Sequence, residues 1–492
     1  MTVDAGRPPA GTVDTGRPPP SRGDGRRDLA VCLLLVAGAV AVNLASVAAV
    51  GTGQVLSGEE ASVSIRDVVA LPTREQASVW ATNAGGHVHY WVFSHLDPAP
   101  DLFYGRRWKA LATALLAPLV YLTLRRRLGC APGPAALAGA TAVALPGVSA
   151  LAWLATENGL EAVWGLAALL LVTSRRRGWW LAPVLAGVSV STYGAGLAWA
   201  AAVLAVATVR LARPPRPLPA RTRLREGALL AVAVGGGVAV VLAPALWWWR
   251  DGGRVVVGGG SVETADPGAA LRHLAGELVV RGDSYYFFSD APALGSPVLA
   301  VALLGAVVLA PVLRPRLWPW TLVAVAALAV YAASGGVLGV RRAVAVPVVA
   351  ALACGVLADA AARALRRRWR RVLLAGVAAA VLVPLVVQHA AWRADWAAGR
   401  LEVPRDFAFP VGPGRTMPEE VDALGRRLRS GELSPERLAR RWEGERTLAM
   451  VWLLAERRGE DVSGLPAPRR VVEMLHEGPR CVRDCRPVPG RR

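Results

Sequence analysis

Long apolar stretches alternate with short arginine-rich segments between residues 29 and 390. Many of these stretches are close to the ~20 residues that a helix needs to cross a hydrocarbon layer roughly 30 Å thick. Hydrocarbon offers no hydrogen-bond partner to a backbone, so stretches of this kind are expected to be helical. The pattern therefore predicts an all-α, polytopic membrane protein.

Eleven transmembrane helices are predicted from the apolar stretches. They cover residues 29–50, 108–124, 135–153, 160–173, 179–191, 196–209, 227–247, 296–313, 318–334, 343–361 and 372–388. The fifth and sixth are short, and the alternative for this pair is one helical hairpin that dips toward the outer face. The first is longer than the core of a signal peptide and is interpreted as a retained helix.

Regions of different composition flank the membrane part. Residues 1–28 are rich in Pro, Gly, Asp and Arg, which predicts a disordered cytoplasmic N-terminus. Residues 391–492 are predicted to form an extracytoplasmic helical tail, either a small domain or a cap on the membrane part. Its predicted helices cover residues 417–429 and 435–458. Ser434 and Pro435 begin the second helix with typical N-cap and first-turn residues.

The charge pattern predicts how the chain is oriented in the membrane. With the N-terminus in the cytoplasm, every loop predicted on the inner side carries arginines, as at residues 125–127 and 175–177. This agrees with the enrichment of Lys and Arg in cytoplasmic loops. Acidic residues concentrate instead in the predicted outer loops. The sequence therefore predicts a multi-pass protein of the cell membrane with its C-terminus outside.

The net charge of +20 does not indicate a nucleic-acid partner. The arginines stand at the ends of apolar stretches, where they orient helices, and they do not form one basic face with stacking aromatic residues. The sequence also contains no Walker-type phosphate loop, no dinucleotide fingerprint and no HExxH motif. Membrane lipid is the partner that this composition favours.

The first predicted outer loop contains the candidate chemistry. Asp67 and Glu75 are its acidic candidates, and residues 75–80 are predicted to form a short amphipathic helix on the membrane surface. An aromatic segment follows, and this region contains the histidines His87, His89 and His95. Their spacing does not place three ligands on one helix face, so a metal site is the less favoured interpretation. Interfacial histidines that position a substrate or pack on lipid head groups are favoured.

Further charged positions occur near predicted helix ends. Arg106 and Arg107 precede the second helix, Glu157 stands in the next short outer turn, and Arg341 and Arg342 precede the tenth helix. Two alternatives stay open here. Glu157 could instead serve only to stabilise the dipole of the fourth helix, at whose start it stands. Arg341 and Arg342 could instead serve only to anchor the tenth helix at the membrane interface.

Taken in order, these segments resemble the type C glycosyltransferase superfamily, such as the protein O-mannosyltransferases and the lipid A aminoarabinose transferases. Residues 73–76, which read TREQ, occupy the family's acidic position, and residues 86–91, which read GHVHYW, occupy its His-Pro-Pro-Tyr position. The chain departs from the family in having Arg74 before the acid and no prolines after the histidine. The resemblance covers about residues 29–390 and identifies them as a glycosyltransferase-like transmembrane domain.

The resemblance implies transfer of a sugar from a polyprenyl-phosphate donor to an acceptor at the outer face. A carboxylate then removes the acceptor's proton as general base, with Glu75 as first candidate, Asp67 next and Glu157 as a second acid. The residues expected to hold the donor phosphate are Arg106, Arg107, Arg341 and Arg342. The expected further substrate contacts are His87, His89 and Tyr90. No cofactor is identified, and a divalent metal is left open.

Two other functions compete with this one. A transporter or flippase usually has polar or broken helices at the bilayer midplane in two corresponding halves. Here the predicted midplane residues are mostly Ala, Val, Leu and Gly, and no internal repeat is evident. A non-catalytic envelope protein is the remaining alternative, which the departures from the family's acidic motif favour. The sequence identifies neither the sugar nor the acceptor.

Overall fold

The computed structural model describes residues 22–50, 77–78, 89–90, 92–93, 96, 104–156, 158–174, 178–213, 219–250, 255–256, 266–281, 291–333, 339–398, 400, 417–439, 448, 451–452, 455 and 459–465. Within these residues the regular structure is helical, apart from two short strands, β1 (Ala77–Ser78) and β2 (Val255–Val256), which pair in parallel. The predicted all-α class is confirmed.

The helices of the membrane part follow the predicted apolar stretches in order, except that α10 (Pro267–Val279) lies between two of these stretches, where no helix was predicted. The helices are α1 (Arg22–Val50), α2 (Tyr104–Thr113), α3 (Leu116–Arg126), α4 (Pro132–Ala144), α5 (Pro146–Trp153), α6 (Leu160–Val172), α7 (Ala182–Thr192), α8 (Gly196–Ala212), α9 (Ala220–Arg250), α10 (Pro267–Val279), α11 (Pro297–Leu313), α12 (Trp318–Ala333), α13 (Ala345–Ala364), α14 (Arg367–Ala397), α15 (Met417–Arg429) and α16 (Pro435–Ala439). Three 3₁₀ helices accompany them at Trp179–Leu181, Pro315–Leu317 and Gly339–Ala343.

Several of these helices are long and apolar enough to cross a membrane. Five described segments meet this test, in α1, α9, α12 with its preceding 3₁₀ turn, α13 and α14. A sixth results if α4 and α5, which meet at a bend of 61°, are counted as one broken span. The protein is therefore a multi-pass membrane protein. Because α6, α7, α8 and α11 are apolar but shorter, the count of eleven spans stays a prediction.

Helix α13 forms the centre of the bundle. It is the most buried of the candidate spans, and it packs against α4, α11, α12 and α14. Helices α9 and α14 instead present most of their apolar side chains outward, as lipid-facing helices do. Small residues permit close approach elsewhere: a Cβ on Gly187 of α7 would lie 2.4 Å from the carbonyl oxygen of Gly237 in α9.

Two buried carboxylates join helices at one end of the bundle, which we call the basic-loop side because it holds residues 127–131 and residues 173–174, just after α6. Asp28 accepts a hydrogen bond from Tyr121 at 2.7 Å and pairs with Arg125 at 3.0 Å. Asp359 pairs with Arg314 at 3.0 Å and also accepts from the backbone N–H of residue 131 at 2.8 Å. Most of the predicted inner arginines lie in this half of the molecule.

Helix α1 begins at Arg22, before its predicted start at residue 29. The reason is the buried carboxylate of Asp28, which also pairs with Arg126 at 2.8 Å and so belongs to the folded bundle. A polar composition predicts disorder only when no partner compensates the charges.

The opposite end, which we call the long-loop side, holds residues 153–156 and 158–160, together with Arg281 and residues 291–296. The helix predicted at residues 75–80 is wrong where the structure describes it, since Ala77 and Ser78 are extended in β1. Their partners are Val255 and Val256, far along the chain, so the pairing is invisible to local periodicity.

The tail after α14 contains the predicted helix at Met417–Arg429. The second predicted helix begins as expected, with the Ser434 side chain accepting a hydrogen bond from the backbone N–H of Arg437 at 3.2 Å. It is described as continuous helix only over Pro435–Ala439. Apolar side chains such as Leu424, Leu433 and Val451 are buried, which gives this region a small core of its own.

Candidate functional site

A buried lysine on α2 is the centre of the candidate site. Lys109 is 0% exposed, and its Nζ donates to the carbonyl oxygen of Thr156 at 2.6 Å. The hydroxyl of Tyr90 donates to the same oxygen at 2.8 Å. Both lone pairs of that carbonyl are thereby used, so the turn after α5 is fixed against α2.

Arg106 lies one helical turn before Lys109 and is equally buried, with 1% of its surface exposed. Its guanidinium stands over the ring of Trp153 at 5.7 Å, within the range of a cation–π contact. The other neighbour of that ring is Trp392 on α14, with ring centroids 5.4 Å apart. Two cations are thus held in the long-loop half of α2 by an aromatic ring and a backbone carbonyl. Arg107 beside them is only partly buried.

An acid lies close to these cations. Glu161, in the first turn of α6, is 0% exposed, and no described side chain donates a hydrogen bond to its carboxylate. The backbone N–H groups of Gly159 and Glu161 lie near this carboxylate, and Lys109 is near enough to interact with it electrostatically. Ser189 of α7 donates to the backbone carbonyl of Glu161 at 2.7 Å, which fixes the start of α6. Burying a carboxylate is costly, and in a membrane protein it marks a functional position.

The arginine pair predicted before the tenth helix lies in the 3₁₀ helix Gly339–Ala343, not in a simple loop. Arg341 is 4% exposed, whereas Arg342 is half-buried. This 3₁₀ helix packs against α5, and α5 packs in turn against α2. Arg341 therefore belongs to an element that contacts α5, the helix that also holds the Trp153 ring beneath Arg106. A buried Arg341 also disfavours the alternative of a superficial interfacial anchor.

The aromatic segment at residues 89–93 covers the long-loop end of α2. His89 Nε2 accepts a hydrogen bond from the indole N–H of Trp164 at 2.7 Å. The Tyr90 ring lies against Gly105, where an added Cβ would come within 2.9 Å of it. Phe93 stacks on Trp108 with ring centroids 6.1 Å apart. The accepting nitrogen of His89 is thus occupied by a protein donor, and its predicted interfacial role stays a prediction.

Four sequence-predicted site residues lie outside the described residues: Asp67, Glu75, His87 and Glu157. The structure therefore leaves their proximity to Lys109 untested. The described part of the chain contains no group of three or more His, Cys, Asp or Glu side chains suited to a metal ion. This finding does not extend to Asp67, Glu75, His87 and Glu157, so metal binding is left open.

Lys109 and Glu161 are the functional candidates that sequence reasoning passed over. In the sequence Lys109 is one of several charges close together, next to Arg106 and Arg107, and has no distinguishing signal. Glu161 has one, because it is an ionisable residue in an otherwise apolar helix, which is rare and usually functional. Their mutual proximity had no local signal, because α2 and α6 are separated by three other helices.

No protein-family model and no curated protein sequence matches the chain. Its structure is similar to that of ArnT from Cupriavidus metallidurans bound to undecaprenyl phosphate, with a TM-score of 0.51 over 91% of this chain and 88% of that chain. The sequences are 18% identical over the alignment. The likeness shows that the chain shares the fold of ArnT. ArnT from the same organism in the apo state aligns with a TM-score of 0.43 at 20% identity, covering 93% of this chain and 78% of that chain.

Proposed function

We propose that this protein is a membrane glycosyltransferase that moves a sugar from a polyprenyl-phosphate donor to an acceptor at the outer face of the cell membrane. The observation that carries the proposal is the buried group formed by Arg106, Lys109 and Glu161 on one side of a type C fold. Ionisable residues buried in a membrane protein are functional candidates by default, because placing them there is costly.

The cations suit a phosphate. Arg106 and Lys109 stand together on α2, and Arg341 is buried in the 3₁₀ helix that contacts α5. Arginine binds phosphate oxygens through its forked donors, and lysine binds them as a compact charge. Undecaprenyl phosphate is bound in the solved structure of ArnT, which supports a lipid phosphate as the ligand here. Arg107 and Arg342 are proposed as outer members of the same group.

The acids suit general-base catalysis. The acceptor oxygen would form a bond to the anomeric carbon while the bond from that carbon to the phosphate oxygen breaks. The phosphate leaves with the bonding electrons, where the cations stabilise it, and the acceptor proton passes to a carboxylate. Glu161 is the candidate from the structure. The other proposed acids are Glu75, Asp67 and Glu157, with His87, His89 and Tyr90 as substrate contacts.

The proposal also requires an orientation. The long-loop side, where Lys109 and Glu161 lie, is proposed to face the cell exterior, with the N-terminus in the cytoplasm and eleven membrane passages. The arginines on the opposite side support this orientation through the positive-inside preference.

Binding of undecaprenyl phosphate tests the proposal directly. The full-length protein in lipid nanodiscs should gain thermal stability as undecaprenyl phosphate is added, because a ligand that binds the folded state raises Tm. Lys109→Met and Arg106→Met should each lose most of this gain. Arg272→Met is the matched control, since Arg272 is 75% exposed on α10 and lies outside the proposed site.

Two results would count against the proposal. One is a wild-type protein whose Tm does not respond to undecaprenyl phosphate. The other is an equal response in the Lys109 and Arg272 variants. Binding without sugar transfer from any polyprenyl-phosphate sugar would favour the non-catalytic alternative instead.

A further inference from the structure

The break between α4 and α5 receives a side chain from a distant helix. His389 on α14 lies with Nε2 2.8 Å from the carbonyl oxygen of Ala144, the last residue of α4. A carbonyl only accepts hydrogen bonds, so Nε2 carries the proton and donates. The two residues are 245 positions apart in the chain.

The carbonyl of Ala144 needs this donor because the helix stops there. In an uninterrupted helix it would accept from the backbone N–H of Val148. Here Val148 and Ser149 both donate to the carbonyl of Leu145, each at 2.9 Å, and Pro146 has no N–H to give. Backbone groups freed inside a membrane protein must find other partners, and His389 is that partner.

A second hydrogen bond holds this end of α5. The backbone N–H of Gly147 donates to the carbonyl of Ala293 at 2.9 Å. Between α5 and α14 lies a small half-open groove of about 30 Å³, lined among others by Ala150, Trp153 and Trp392. The other sides of α5 are packed, since every residue from Gly147 to Trp153 is buried, so His389 adds a polar contact on the side where α5 faces this groove.

The far end of α5 is attached to the proposed phosphate site. Thr113 of α2 donates through its hydroxyl to the carbonyl of Ala152 at 2.9 Å. Lys109 donates to the carbonyl of Thr156 just beyond α5, and Arg106 stands over Trp153. Helix α5 is thus a short rigid link, held by His389 at its start and by the proposed phosphate-binding residues at its end.

We propose that His389 is a positioning residue for the phosphate site, which it influences by fixing the start of α5. In this proposal the identity of the ligand, a polyprenyl phosphate, rests on the proposed function. Loss of the His389 hydrogen bond lets α5 tilt at the break, and Trp153 and the carbonyl of Thr156 then move relative to Arg106 and Lys109. Misplacement of this kind weakens ligand binding more than it weakens the fold.

The test compares three variants of the full-length protein in nanodiscs of phosphatidylethanolamine and phosphatidylglycerol. His389→Leu removes the donor, and His389→Gln keeps an N–H donor at a similar reach. Gln388→Leu is the matched control, because it removes a neighbouring donor from α14 whose acceptor is Gly295 and not the break. The dissociation constant of undecaprenyl phosphate is measured at a temperature well below the Tm of every variant.

We expect His389→Leu to weaken binding about tenfold, the scale of one hydrogen bond. His389→Gln and Gln388→Leu should stay close to the wild type. A Tm that falls in His389→Leu while the dissociation constant is unchanged would show a merely structural role and would overturn the proposal. So would His389→Gln behaving like His389→Leu.

Hydrogen–deuterium exchange gives a readout that needs no ligand. In His389→Leu, peptides covering residues 145–156 and 104–113 should exchange faster than in the wild type, and His389→Gln should restore the slower exchange. Unchanged exchange at 104–113 would overturn the positioning role. If the wild type binds no undecaprenyl phosphate, the proposed function fails, and the exchange data alone decide whether His389 positions α2.

Discussion

At the scale of single residues, the chemistry of this protein depends on charges that are buried, not on charges in general. Of its 56 Lys and Arg residues, many flank helices at exposed positions. Lys109, Arg106 and Arg341 differ because their side chains are almost fully removed from solvent on the long-loop side. Burial changes their energetics, since a desolvated cation interacts strongly with any anion that reaches it.

Glu161→Gln tests the acid at this scale. The substitution keeps the shape of the side chain and removes the charge. Transfer from any polyprenyl-phosphate sugar that the wild type accepts should fall by at least about 100-fold, the usual contribution of a general base. The Tm of the ligand-free protein should stay equal or rise, because a fully buried ionised carboxylate carries a desolvation cost.

The control for this prediction is Glu277→Gln. Glu277 is also buried but pairs with His273 at 3.1 Å, so its loss should leave transfer near the wild-type rate. Retained transfer in Glu161→Gln would assign the base to another acid, with Glu75 and Glu157 as the next variants to make.

At the scale of elements, glycines and prolines decide how the helices approach one another. Pro146 begins α5 immediately after Leu145, whose φ of −63° and ψ of 130° are extended, and the result is the 61° bend between α4 and α5. Gly187 and Gly237 bring α7 and α9 into backbone contact. A hydropathy profile registers these positions only as apolar, although they set the geometry of the bundle.

Gly187→Leu tests the glycine contact. A Cβ at this position would lie 2.4 Å from the Gly237 oxygen and 2.7 Å from its Cα, so α7 and α9 must separate. Overpacking of this kind costs roughly 1–3 kcal/mol, and thermal unfolding in detergent should show a lower Tm.

Gly235→Leu is the matched control on α9, because an added Cβ there meets no atom within 4 Å. Its Tm should remain near that of the wild type. Equal loss of stability in both variants would indicate that helix propensity or hydrophobicity, and not the close approach, sets the effect.

At the scale of the whole molecule, charge asymmetry accompanies the fold. The basic-loop side carries Arg125 and Arg126 around Asp28, and Arg314 and Arg363 around Asp359. These ion pairs leave an excess of positive charge on that side. The positive-inside preference then predicts that this side remains in the cytoplasm and the Lys109 side reaches the exterior.

Reporter fusions test this orientation. Green fluorescent protein fused after Arg213 should fluoresce, because that connection belongs to the basic-loop side. Alkaline phosphatase fused after Arg281 should be active, because that position belongs to the long-loop side. The reversed pattern would contradict the proposed orientation and would place the Lys109 site in the cytoplasmic half.

Much of the fold was predictable from the sequence, whereas most of the described site was not. The apolar stretches located the helices, since hydropathy is a property of each local segment. The start of α1 was missed because Asp28 is stabilised by Arg125 on another helix. Arg106, His89 and Tyr90 stay predicted site residues, and the structure adds which groups they contact.

The sequence by itself determined that the protein resides in a membrane, and it determined the order of the helices. The reason is that the free energy of transferring each segment into hydrocarbon depends only on the composition of that segment. Only the tertiary structure decided which few charges share a buried space. Lys109 reaches Thr156 and His389 reaches Ala144 across many intervening residues. Such contacts depend on how the helices pack, and packing is settled by the shapes of all the apolar faces together.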